Sequence, residues 1–198
     1  MKIPTIKSLF FICCLLSLLL VSCSDSAAPM YQGSNIRILK TAVAHELEQE
    51  FQRHSYNLDE LERGVPPLIL QTMPKDLPKI SSNSRRKEIF FKSLLPMILL
   101  ANNEIRRERE QILAFRKQLQ QGQKLTPDQI HQLTELAKRY KVNTDSITSE
   151  QALHELTLRV DTIPAELALA QAANESAWGT SRFSQLANNL FGEWTFTK

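Results

Sequence analysis

The chain has little of several things that would narrow its function. Of 198 residues only 3 are cysteine and 5 are glycine. Cys13 and Cys14 lie inside an apolar run near the start, so Cys23 is the one cysteine outside it. A disulfide framework or thiolate metal site within the remainder is thereby excluded. The four histidines, His45, His54, His131 and His154, are scattered and form no ligand pair with one another or with a cysteine. No metal and no cofactor is expected from them. An excess of one charge is also missing, since 24 basic residues face 21 acidic ones for a formal net charge of +3. That balance argues against a strongly electrostatic partner, nucleic acid included. There is no internal repeat or low-complexity tract.

The apolar run Leu9–Val21 follows Lys2 and Lys7. It falls short of the roughly 20 residues a membrane helix needs, and fits the core of an export signal. Leu20-Val21-Ser22-Cys23 resembles a bacterial lipobox. The resemblance implies cleavage before Cys23 and acylation of its thiol. Ser24 in the next position points, by the same resemblance, to the outer membrane. An ordinary secretory signal with a chance cysteine is the alternative. Loss of residues 1–22 removes Lys2 and Lys7 and leaves 22 basic against 21 acidic residues. Residues 23–35, small, polar and broken by Pro29 and Gly33, suit a tether.

From Ile36 the spacing of Leu39, Val43, Leu47 and Phe51 predicts an amphipathic helix ending near residues 55–57. Gly64, Pro66, Pro67, Pro74 and Pro78 then prevent a regular helix, and predict a strap over the surface with a short extended piece within 65–70. Residues 84–121 form the longest helical region. Ser84 is its candidate cap, and Ile89, Phe90, Phe91, Leu94, Leu95, Met97, Ile98, Leu99 and Leu100 make it apolar nearly all round. Pro96 should kink or break it. Beyond Asn102 come Arg106, Arg107, Glu108, Arg109 and Glu110, read as a solvated face with i,i+4 pairs that can also meet anionic polymer or lipid. Gly122 ends this helix, Thr126-Pro127-Asp128-Gln129 opens another with a capping box, and Ser149 caps a third. Residues 161–164 hinge into the next.

That last helix begins at Pro164, runs through Ala165, Ala168, Ala172 and Ala173, and is stopped by Gly179. Its last turn carries Glu175, on the face of Ala168, Gln171 and Ala172. The partial negative charge of a helix C-terminus disfavours a carboxylate there, and an apolar ring such as Trp178 would add desolvation. A carboxyl group held protonated can act as a general acid on a glycosidic oxygen. A solvated glutamate at a helix end is the plain alternative. Trp178 offers a sugar-binding face or core packing. Asn188 and Asn189 suit a turn or could hold glycan hydroxyl or N-acetyl groups. Leu190 and Phe191 read as core, and Glu193 as a solvated loop residue.

Residues 162–194, TIPAELALAQAANESAWGTSRFSQLANNLFGEW, resemble the glucosaminidase core of the bacterial Bax family. They are also similar to peptidoglycan β-N-acetylglucosaminidases and flagellar muramidases of lysozyme-like fold. AQAANESAWGTS and ANNLFG carry the likeness, and KEIFFKSLLPMILLANNEIRRER extends it upstream. The resemblance implies that Glu175 is the catalytic acid; Trp178, Asn188, Asn189 and Trp194 are the candidate substrate-binding residues around it.

The expected fold is mainly α: N-terminal helices plus a partial lysozyme-like glucosaminidase domain. The expected divisions are a lipoprotein signal at 1–22, a tether at 23–35, a helical region at 36–145 and the partial domain at 146–198. The expected activity is cleavage of β-1,4 bonds after N-acetylglucosamine in peptidoglycan glycan strands, by an exported protein anchored to the membrane through lipid on Cys23 and facing the periplasm. A lytic transglycosylase and an inactive wall-binding remnant are the alternatives. The second is motivated by the end at Lys198, just after the motif and before the lobe that the resemblance implies would assist Glu175.

Overall fold

The computed structural model describes residues 35–40 and 43–193. Cys23 and Trp194 therefore lie outside the described residues. The fold is mainly α, as expected. In chain order the elements are β1 (Arg37–Leu39), α1 (Ala44–Arg53), a 3-10 turn (Leu58–Arg63), β2 (Leu68–Leu70), a second 3-10 turn (Leu77–Lys79), α2 (Asn83–Gln120), α3 (Pro127–Arg139), α4 (Glu150–Arg159), α5 (Ala165–Ser176) and α6 (Arg182–Ala187). Among the described residues no helix is long and apolar enough to cross a membrane.

The helix expected from Ile36 is a strand followed by a helix. β1 pairs in parallel with β2, Leu39 opposite Leu70, and α1 makes the return. The four-residue spacing held only for Leu47 and Phe51, which are buried in α1. Leu39 reaches the same core from a strand, where the adjacent residues Ile38 and Leu39 face opposite ways. The proline-rich segment is likewise not a surface strap. Val65, Leu68, Leu70, Met73 and Leu77 are all buried. Pro66 and Pro67 fit because this chain is extended and pairs along only one edge.

α2 spans 38 residues, about 57 Å at the rise of an α-helix, and is the back wall of the molecule. Its cap is Ser82, whose hydroxyl accepts from Arg85 N–H, rather than Ser84. It is continuous through Pro96. The lost backbone hydrogen bond is offset by burial of Leu94, Leu95, Ile98 and Leu99 around it.

Two cores form along α2. The first takes β1, α1, β2, the N-terminal half of α2, and Ala172 and Ala173 of α5. The second takes Ile112 and Phe115 of α2 with Leu133, Leu136 and Ala137 of α3 and Leu153, Leu156 and Val160 at α4. The capping box at Thr126 and Gln129 and the Ser149 cap are both formed. The charged half of α2 is not a face of i,i+4 pairs: Glu108 binds Arg139 and accepts from the Tyr140 hydroxyl at 2.7 Å, and Arg116 binds Glu150. These ties fasten α3 and α4 to α2.

Candidate active site

The helix that carries Glu175 is held at both ends. At its start, Asn102 of α2 donates through Nδ2 to the Ile163 carbonyl at 2.7 Å and accepts from the Ile163 N–H at 3.4 Å. Seven residues along α2, on the same side, Arg109 donates to the Val160 carbonyl at 2.8 Å and to that of Thr157. Asp161 lies 3.7 Å from the same guanidinium. The stretch expected as a hinge is thus clamped to α2. Arg109, expected on a solvated face, and Asn102, expected only as the boundary of that face, are both anchors instead, because an Asn and an Arg in a charged helix carry no mark of such a partner in the sequence.

The Cα trace leaves α5 through three successive left-handed residues, Ala177 (φ 50), Trp178 (φ 59) and Gly179 (φ 74). The helix therefore stops at Ser176, three residues before the expected glycine. Ser176 is fully buried. Its hydroxyl donates to the Ala172 carbonyl at 2.6 Å and accepts from the Gly179 N–H at 2.8 Å. Gly179 passes so close to the core that a Cβ there would stand 3.0 Å from the Met73 methyl and 3.2 Å from Phe90. A left-handed backbone and a crowded site both require glycine.

This reversal turns Trp178 back onto α2. Its ring meets Phe91 edge-on at 5.3 Å and Phe90 at 5.8 Å, and the Lys87 ammonium stands 4.5 Å from its centroid. Core packing is the role the structure shows for Trp178. The buried face of α5 is formed by Ala172, Ala173 and Ser176. Glu175 and Gln171 point to the open side. The tightly packed, desolvated setting expected for the carboxyl group is not formed: the small residues pack on the adjacent face, and the indole is engaged with α2. Among the described residues Glu175 has no hydrogen-bond or ion-pair partner.

α6 and its sequel bring a second segment up to Glu175. Gln185 donates to the carbonyls of Gly179 at 2.7 Å and Pro74 at 3.3 Å. Asn188, left-handed at φ 53, ends α6 and donates to the Gln71 carbonyl at 3.2 Å. Asn189 closes the next loop on itself: Nδ2 donates to the Glu193 carbonyl at 2.7 Å and Oδ1 accepts from the Glu193 N–H at 2.9 Å. Both asparagines thus serve as turn residues, with their amides engaged by protein. Leu190 is buried, but Phe191 is 40 % exposed and is not the core residue expected. Gly192 comes directly against the Glu175 carboxylate. Its role was legible only as the last letter of ANNLFG. Glu193 is exposed, as expected.

Two concavities, of about 240 and 530 Å³, lie on other elements: one between α1 and α2, the other at the end of α3. Among the described residues no cluster of His, Cys, Asp or Glu could hold a metal ion.

The helix–turn–helix that presents Glu175 coincides with a known family. The family model for glucosaminidases, described as mannosyl-glycoprotein endo-beta-N-acetylglucosaminidase, matches residues 156–198. Its similarity to protein Bax of Escherichia coli (strain K12) is 39 % identity over 117 residues, which cover 59 % of this chain and 41 % of Bax. The chain thus matches about two-fifths of the length of that relative. No solved structure matches.

Proposed function

We propose that this chain belongs to a peptidoglycan hydrolase that cleaves the β-1,4 bond after N-acetylglucosamine, with Glu175 as general acid. The observation that carries the reading is the placement of Glu175. It sits on the open side of α5, inside the matched residues 156–198, with the backbone of Gly192 against it. An acid so placed can be reached by a polymer, and it stands on a helix fixed at both ends. General acid catalysis needs that geometry: the carboxyl proton passes to the leaving glycosidic oxygen as the bond to the anomeric carbon breaks.

The envelope is the proposed location, with export directed by residues 1–22 and anchoring through lipid on Cys23, facing the periplasm. Glycan strands are the proposed substrate. Trp194, Asn188 and Asn189 remain proposed glycan contacts, the asparagines through whichever lone pairs and protons their loop bonds leave free.

A reading without turnover, as a wall-binding protein, is favoured by one observation: Glu175 is exposed and has no partner among the described residues. The test is digestion of purified sacculi by the chain and by Glu175→Gln. The hydrolase reading expects new reducing ends from the first and none from the second. Binding without release supports the wall-binding reading, and equal release by both proteins removes Glu175 from the chemistry. Mass spectrometry of the fragments distinguishes hydrolysis from a transglycosylase, whose products end in an anhydro-sugar.

A further inference from the structure

We infer that Asn189 is a positioning residue for Glu175, acting through Gly192. The inference rests on Glu175 being the acid of the site. Its grounds are geometric. The loop from Asn188 to Glu193 is pinned at three points. Asn188 ties its start to the Gln71 carbonyl, Leu190 is sunk in the first core, and Asn189 bonds both backbone groups of Glu193. Between Leu190 and Glu193 lie Phe191 and Gly192, and Gly192 is left-handed at φ 70. A Cβ on it would stand 2.7 Å from Oε2 and 3.3 Å from Cδ of Glu175. The carboxylate is therefore in van der Waals range of loop backbone on one side and open on the other.

No hydrogen bond or ion pair among the described residues fixes the Glu175 side chain, so its rotamer is limited by what it touches. A wall of bare backbone at that distance removes the conformers that would swing toward the loop. The amide of Asn189 is what keeps the wall there: it spans four residues as both donor and acceptor, the two roles a backbone strand partner would fill. Loss of Asn189 leaves the α6 anchors in place and frees only Gly192 and Glu193. A side chain one ångström out of place can cost about 100-fold in rate without changing what is bound.

The test uses the full chain with Asn189→Ala, Asn189→Asp and Gly192→Ala, each read by NMR. The carboxyl carbon of Glu175 is assigned by its absence from Glu175→Gln. In Asn189→Ala the Glu193 amide should exchange with solvent about 5–10-fold faster, and the Glu175 carboxyl resonance should move. In Asn189→Asp, which keeps the acceptor for the Glu193 N–H, that resonance should move less. Gly192→Ala should move it most. A faster Glu193 amide with an unmoved Glu175 resonance would overturn the inference. So would an unmoved Glu175 resonance in Asn189→Asp with Gly192→Ala, should the alanine variant of Asn189 not fold. In sacculus digestion Asn189→Ala should lose about 100-fold in kcat, and a raised KM with kcat unchanged would reassign Asn189 to substrate binding alone. If wild type and Glu175→Gln digest alike, the acid reading fails, and the resonance shifts still decide the role of Asn189.

Discussion

Gly192 and the Glu175 carboxylate touch across 17 positions of sequence, at a separation that leaves no room for a methyl group: 2.7 Å from Oε2 to where a Cβ would stand. Gly192→Ala should destabilise the chain by about 1–2 kcal/mol from its left-handed backbone, and should push the free end of the Glu175 side chain aside. Urea denaturation followed by circular dichroism measures the first, and sacculus digestion the second. An unchanged midpoint would contradict the left-handed backbone at Gly192.

Ala177 has φ 50 and lies on the exposed side of the turn after α5. Glycine adopts that backbone freely, at the expense of a more flexible unfolded chain. Ala177→Gly should stabilise the protein by about 0.5–1 kcal/mol. A loss of stability would show that the methyl group is needed for packing.

Arg109 bonds two carbonyls at the end of α4. Its truncation to alanine leaves both without a charged donor and should cost about 1.5–3 kcal/mol. The effect should be greatest on amide exchange in residues 157–163, which the guanidinium holds to α2.

Burial, then the hydrogen bond to Glu108 and the charge of that carboxylate, push the Tyr140 phenol up to about 12 from its ordinary 10.0. A raised folded-state pKa means that the neutral form is preferred in the fold. The contribution to stability is then whole below pH 10 and is lost as pH rises from about 10 to about 12. Tyr140→Phe should remove a phenolate step with a midpoint near 12 from the ultraviolet titration. It should also flatten the stability curve across that window.

Leu94 and Leu133 are fully buried, one in each core. Either leucine replaced by alanine should cost about 2–5 kcal/mol. Both cores rest on α2, so in both variants tryptophan fluorescence and circular dichroism should report one coincident transition. Separate transitions would show that the cores unfold independently.

Much of this arrangement was legible where local chemistry decides it. Thr126 and Gln129 announced α3, Ser149 announced α4, and the alanine run announced α5, because caps and propensities act within a few residues. The strand at Arg37–Leu39 was not legible, since its partner Leu68–Leu70 lies about 30 residues away and a spacing of four suited a helix equally well. The burial of the proline-rich segment was hidden for the same reason. At the site, Glu175 was placed in the correct turn of α5, but its surroundings were not. The direction of Trp178 depends on three consecutive left-handed residues, of which only Gly179 is conspicuous in the sequence. Phe191 shows the limit of reading size as burial: a large apolar side chain in a six-residue loop faces whichever way its backbone bonds allow.

One continuous helix backs both halves of the molecule. Cleaving the chain between Asn102 and Glu108 would therefore not yield two self-sufficient fragments. Each would keep a set of apolar side chains with one flank stripped bare, and the fragment bearing Glu175 would lose the N-terminal half of α2, on which α5 rests. Protease digestion in that interval should make the two pieces persist only while they remain together, and a synthetic α2 peptide should compete for the vacated groove.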